Sequence, residues 1–163
     1  MRHLILSLTA LIFCAGATWA KSLDSVDECR DLNKKATSLA SQYKELREKR
    51  RRIPQGTFDP ELDRYNGQLH KVLLSLGVEL GHPPFTKETI VKCLGEPDAI
   101  KSGKPMSKFL GVYENELKKA GRTLEEKKDR EYLIYFWRGW HDFIFFISED
   151  GLIVDHGWWF AYE

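Results

Sequence analysis

Between Glu131 and Tyr162 the chain reads EYLIYFWRGWHDFIFFISEDGLIVDHGWWFAY, and no other stretch is so dense in aromatic and β-branched residues. Those residue types fit a pleated, half-buried surface. Two turn signals divide the stretch. Arg138-Gly139-Trp140-His141 separates Tyr132–Trp137 from Asp142–Ile147, and Ser148-Glu149-Asp150-Gly151 separates that second run from Leu152–Trp159. Short loops holding Gly and Asp between apolar runs are hairpin signals. The stretch therefore predicts a three-stranded antiparallel β-meander.

Regular hairpins would set Trp137 opposite Asp142 and Ile147 opposite Leu152. One face then collects Tyr132, Ile134, Phe136, Phe143, Phe145, Ile147, Val154, His156, Trp158 and Phe160. The other collects Leu133, Tyr135, Trp137, Asp142, Ile144, Phe146, Ile153, Asp155 and Trp159. A slip of one residue would exchange the faces. A sheet with one wet side alternates apolar with polar residues, and this one does not. Either something covers both sides, or one side is a binding surface. The first face, almost wholly apolar, is the expected core.

The chain before this stretch reads as helices. In 25–52, Cys29, Leu32, Ala36, Leu39, Tyr43 and Leu46 recur at spacings of three and four, a helical seam. In 60–80, Leu62, Tyr65, Leu69, Val72, Leu76 and Leu80 repeat the pattern. Asp59 is the expected N-cap, with Pro60 at the first helical position. Ile53-Pro54-Gln55-Gly56 is turn chemistry, so the two segments predict an antiparallel helical hairpin. A short helix is expected from Thr86 to Leu94, capped by Thr86 and stopped by Gly95 and Pro97. Residues 99–106 read as loop, and Phe109 to Ala120 as a further helix. The fold class is α+β: an N-terminal helical hairpin, a short helix and the C-terminal meander, in one domain spanning 21–163 of the 163-residue chain.

Residues 1–20 are of another kind. Arg2 and His3 precede an apolar run from Leu4 to Ala15, followed by Gly16-Ala17-Thr18-Trp19-Ala20. That pattern predicts a secretory signal peptide cleaved after Ala20, with Ala17 the alternative, and a secreted or periplasmic product. The run is shorter than the ~20 residues a spanning helix needs, and no transmembrane segment is expected in the mature chain. Phe13 argues against lipidation of Cys14, because such sites need a small residue there. Cys29 and Cys93 remain, and in an exported chain they suggest one disulfide. It would close a long loop, for about 2–4 kcal/mol. Two buried thiols are the alternative.

The net charge of +1 gives no bulk attraction to nucleic acid or to anionic membranes. The basic run Lys49-Arg50-Arg51-Arg52 is a patch for an anion or, more simply, favourable charge at the negative end of a helix. His141, Asp142, Asp155 and His156 carry metal-ligand chemistry. Neighbours on a strand point to opposite faces, so the four do not converge, and neither metal nor cofactor is predicted. There is no G-x-S-x-G, no H-E-x-x-H and no Gly-rich phosphate loop, and no catalytic residue is assigned. Asp142 with Asp155 is the one carboxylate pair suited to acid–base work. Binding is the sharper expectation. Tyr135, Trp137, Arg138, Trp140, Trp158, Trp159 and Tyr162 gather near one end of the sheet with Asp142 and Asp155. Trp, Tyr and Arg are enriched at binding hot spots, although a small domain also needs such rings for burial.

FTKETIVKCLGEPDAI, followed after a gap by an aromatic antiparallel meander with an Asp-Gly turn, resembles the SmpA/OmlA-like (BamE-like) domain. That family places a T-x-x-x-V-x-x-x-L-G-x-P helix before a three-stranded sheet. Here Thr86, Ile90 or Val91, Leu94, Gly95 and Pro97 match it, with Asp150-Gly151 later, over about Phe85 to Trp159. The resemblance implies a small exported α+β domain that binds other proteins, as outer-membrane assembly factors and secreted β-lactamase inhibitor proteins do, without enzymatic activity. The chain departs from the pattern at Pro84-Phe85, where a glycine is usual, in its helical hairpin and in the insertion 101–130. The expected function is thus a non-enzymatic exported protein-interaction domain. The alternative is a small secreted carbohydrate binder or hydrolase using Asp142, Asp155 and the Trp cluster.

Overall fold

The computed structural model describes Cys29 and residues 32–102, 113–115, 117–121 and 129–160. The segment 1–20, where a signal peptide is expected, all of 103–112, the charged run 122–128 and Tyr162 lie outside the described residues. The fold is α+β. Helices α1 (Lys34–Arg51), α2 (Gln68–Leu80) and α3 (Lys87–Leu94) precede strands β1 (Ala99–Ser102), β2 (Glu131–Phe136), β3 (Asp142–Glu149) and β4 (Leu152–Phe160). The strands form one antiparallel sheet in the order β1-β2-β3-β4.

Helix α1 starts later than the apolar seam suggests. Asn33 caps it, its side chain accepting from the Ala36 N–H at 2.8 Å, and Cys29 and Leu32 pack from the turn ahead of it. Its buried positions are Ala36, Ala40, Tyr43 and Leu46. Helix α2 is also shorter than expected. The Asp59 carboxylate does cap, accepting from the Glu61 and Leu62 N–H groups at 2.8 and 3.0 Å, but it caps an isolated turn. Asn66 then enters the left-handed region (φ 58°), which Asn tolerates better than most residues, and the helix proper begins after Gly67. The hairpin is antiparallel as expected. Lys35 near the start of α1 pairs with Glu79 near the end of α2 (2.6 Å), while Arg50 reaches Asp63 (2.7 Å). Thr86 caps α3 by accepting from the Thr89 N–H (3.1 Å), and Gly95 (φ 82°) ends it.

The sheet has four strands rather than three, because 99–102, expected as loop, pair with β2. Three of these four residues are exposed, so the strand carries no alternation to read. Asp98 sets it in place: its N–H donates to Ile134 O, and its carboxylate accepts from the Phe136 N–H, both at 2.8 Å.

The first hairpin has the expected register, with Phe136 opposite Phe143 and the Trp137 N–H donating to Asp142 O. The second does not. Asp150 and Gly151 both take positive φ (50° and 79°), a two-residue turn that sets Glu149 opposite Leu152. A β-bulge between Ile147 and Ser148 then shifts the register, so that Ile147 faces Asp155 and Asp142 faces Phe160. An extra residue exchanges the faces of everything beyond it. His156, Trp158 and Phe160 therefore lie on the face of Leu133 and Ile144, while Asp155 and Trp159 lie on the face of Tyr132 and Phe145, the reverse of the regular-hairpin expectation.

Both faces are covered. The helices lie on Leu133, Tyr135, Trp137, Ile144, Phe146 and Ile153, which form the larger core. That is the face expected to be the lesser one. Tyr132, Ile134, Phe143, Phe145 and Ile147 form a second cluster on the opposite face, with Tyr113 edge-on to Phe145 at 5.3 Å between centroids. Tyr113 belongs to the helical residues 113–115. Helix α2 meets the sheet at Gly77, where a Cβ would stand 2.6 Å from both His156 Cδ2 and Ile144 Cδ1.

Cys29 and Cys93 stand at disulfide distance, Cα to Cα 5.6 Å, joining the chain ahead of α1 to α3. No helix among the described residues is long and apolar enough to cross a membrane.

Candidate functional site

The aromatic residues gather at the β2–β3 hairpin end of the sheet and divide into two groups by face. On the helix side, His70 and Trp137 are buried with ring centroids 4.7 Å apart. Phe160 packs against both (4.8 and 5.0 Å) and against Tyr65 (5.3 Å), and Trp158 stacks on Phe160 at 4.1 Å. On the opposite side, Trp140 sits edge-on to Phe136 (4.8 Å) and Phe143 (5.9 Å), with the Lys101 ammonium 5.6 Å from its ring. Trp140 and Trp158 are 45% and 46% exposed, whereas Trp137 is 3% exposed and Tyr135 fully buried. Of the residues expected to bind, Tyr135 and Trp137 are thus core. Trp159 is half-buried against the second cluster, and Trp140 and Trp158 present surface.

Arg138 and Asp142 form a close ion pair across the hairpin, with the Asp142 side chain buried. Asp155 lies on the other face, where its carboxylate accepts from the His156 N–H at 2.8 Å. The two carboxylates sit on opposite faces and do not converge. The expectation that they share a face fails because the bulge lies between them. Among the described residues no three His, Cys, Asp or Glu side chains are placed to hold a metal ion.

His70 escaped the sequence reading, which took its neighbours as a helical seam. Its Nδ1 accepts from the Asn66 N–H at 2.9 Å, so the proton of the neutral ring is on Nε2, which is buried without an acceptor. Burial lowers its pKa, Asp142 acts in the opposite sense, and Lys71 adds to the lowering. The Trp137 Nε1–H is likewise buried without an acceptor.

The same end of the molecule holds a cleft of about 550 Å³, between the end of α1, the loop at Gln55–Phe58 and the β2–β3 hairpin. Arg47, Arg50, Arg51 and Arg138 line it, with Asp63 and Asp98, and Phe58, Leu69, Phe136 and Trp137 form its apolar part. Within the basic run at the end of α1, Arg50 has a structural role, while among the described residues Lys49 and Arg51 make only exposed pairs. Arg50 holds the buried Asp63 and donates to Thr57 O (3.0 Å). Arg47 bonds Asp98 at 2.5 Å and Glu96 O at 2.8 Å, and its guanidinium lies 5.7 and 5.9 Å from the rings of Tyr43 and Tyr135. Among the described residues Arg51 has only the exposed pair with Glu48. Burial drives the phenols of Tyr43 and Tyr135 far above their ordinary range, which keeps both protonated.

No family model, curated protein or solved structure matches the chain.

Proposed function

We propose that the protein is a non-enzymatic, exported interaction domain that engages a protein partner through the aromatic end of its sheet. The observation that carries this reading is the state of Trp140 and Trp158. Each is nearly half exposed, yet each ring is braced by neighbouring rings. An exposed indole held in one orientation loses little freedom on binding, which is what makes Trp a frequent hot-spot residue. The cysteine pair at disulfide distance supports an oxidising compartment and with it the signal peptide at 1–20. A Thr86-capped helix stopped at Gly95 and followed by an antiparallel sheet is the arrangement that the BamE-like resemblance implies. The separation of Asp142 from Asp155 removes the geometric basis for a hydrolase built on that pair, so the interaction reading is the stronger of the two.

The test is affinity capture from the exported fraction of the native source with wild type, Trp140→Ala and Trp158→Ala, after circular dichroism has verified that all three fold. A partner retained by wild type and lost by either variant supports the proposal. Equal retention by all three removes these residues from the interface.

A further inference from the structure

We infer that the arginine-lined cleft receives an acidic peptide segment of a partner, with a carboxylate side chain against the guanidinium groups and an adjacent apolar side chain on Phe58 and Phe136. The inference rests on the interaction reading above and adds the chemistry of what is recognised. Three observations lead to it.

Charge comes first. Four guanidinium groups and two carboxylates line the cleft. Asp98, Asp63 and the buried Asp142 hold Arg47, Arg50 and Arg138 in the walls. Arg51 is different. Its partner Glu48 lies one helical turn away, and both side chains are more than half exposed. Such a pair contributes little and exchanges readily for a better acceptor. Guanidinium groups bind carboxylates by paired, charge-assisted hydrogen bonds.

Unsatisfied donors come second. Trp137 lines the cleft, and its indole N–H has no acceptor. Against its ring stands His70, whose Nε2–H has none either. Buried polar groups nearly always find partners, so two neighbouring orphans call for an explanation. Both are donors; His70 stands behind Trp137 and outside the lining, so the Trp137 N–H is the one that an acceptor in the cleft complements.

Shape and extent come third. The apolar wall includes Phe58, itself 54% exposed. A volume of about 550 Å³ accommodates a few side chains. A nucleic acid or an anionic membrane needs an extended basic track, and here Asp63 and Asp98 interrupt the positive charge.

The test is a titration of the mature chain followed by the indole N–H resonances in ¹H–¹⁵N spectra, with Trp137 assigned from Trp137→Phe. The probes are acetyl-Glu-Phe-Glu-amide, acetyl-Gln-Phe-Gln-amide and inorganic phosphate. A saturable shift of the Trp137 signal with the acidic peptide is expected at a Kd of about 1 mM or tighter, weakening as salt is raised. It should be absent with the Gln peptide and about tenfold weaker in Arg51→Glu. Phe58→Ala, at an exposed loop position, should weaken the acidic peptide and leave phosphate unaffected. No shift, equal shifts with both peptides, or a shift with phosphate alone would each overturn the inference. Capture of a partner that depends on Trp140 while the Trp137 signal stays fixed would overturn the cleft alone. Peptide binding without Trp140-dependent capture would overturn only the aromatic surface.

Discussion

His70 shows how a single side chain takes its chemistry from its surroundings. It sits between Tyr65, Trp137 and Phe160 and accepts from the Asn66 backbone through Nδ1. A protonated ring would turn that acceptor into a donor facing a donor. Its pKa is lowered in the folded state by burial, so the unfolded chain binds the proton more readily. Its contribution to stability is therefore complete above the unfolded pKa of about 6.5 and is lost as pH falls below it toward the folded value. Thermal unfolding of wild type should shift to lower temperature between neutral and mildly acidic pH, and His70→Gln should flatten that part of the profile. An unchanged profile in the variant would assign the acid sensitivity to other groups. Gly77 makes the opposite case, a residue whose value is its lack of a side chain. Alanine there gains helix propensity, by up to about 1 kcal/mol, but its Cβ collides with His156 and Ile144. Overpacking costs about 1–3 kcal/mol, so Gly77→Ala should lower the midpoint of urea unfolding. A raised midpoint would mean that the helix moves off the sheet without loss.

Among the elements, β4 depends on one inserted residue. The Asp150-Gly151 turn alone would keep Asp155 on the face of Ile144. The bulge at Ile147/Ser148, which leaves Val154 extra, turns His156 toward α2 and Trp159 away from it. Deleting Val154 removes the unpaired residue and leaves the pairs on either side as they are, Ser148 with Ile153 and Ile147 with Asp155. The deletion variant should therefore keep its near-UV circular dichroism. A collapsed near-UV spectrum would show that the packing needs the bend of the bulge as well as the register beyond it. Helix α1 is tied to the sheet at Arg47, which joins Asp98, Glu96 O and the faces of two tyrosines. Removing a partly buried charged donor of this kind costs about 1.5–3 kcal/mol, and Arg47→Ala should show a loss of that order in chemical unfolding. A loss below about 0.5 kcal/mol, the range of ordinary surface changes, would make the pair ornamental.

At the scale of the whole molecule, the helical layer and the sheet are joined by the Cys29–Cys93 pair, separated by 64 residues in sequence. A bridge closing a loop of that length restrains the unfolded chain by up to about 4 kcal/mol in the entropic model. A chain beginning at Lys21 should therefore show no titratable thiol until it is denatured and reduced, and reduction or Cys93→Ser should lower its unfolding temperature by several degrees. Two free thiols in the native chain would remove the bridge and weaken the case for export. The sheet is buried on both faces, and the exposed rings of Trp140 and Trp158 lie toward its β2–β3 hairpin end.

Much of this architecture was legible in local pattern. The turn at Asp150-Gly151, the Thr86 cap, the Gly95 stop, the pairing of Trp137 with Asp142 and the helical hairpin follow from residues close together in sequence, because propensity, capping and turn geometry are short-range effects. Other features followed from no local signal. Strand β1 exists through backbone hydrogen bonds to β2, which Lys101 and Ser102 do not announce. The bulge arises because β4 must satisfy the Asp150-Gly151 turn and the packing of His156 against Gly77 together. That bulge decided which faces Trp158 and Trp159 take, and it parted Asp142 from Asp155. The burial of His70 and the meeting of arginines from α1 and the β2–β3 hairpin at one cleft were likewise tertiary outcomes. Each joins groups far apart along the chain, and sequence periodicity carries information about a face but not about what comes to lie against it.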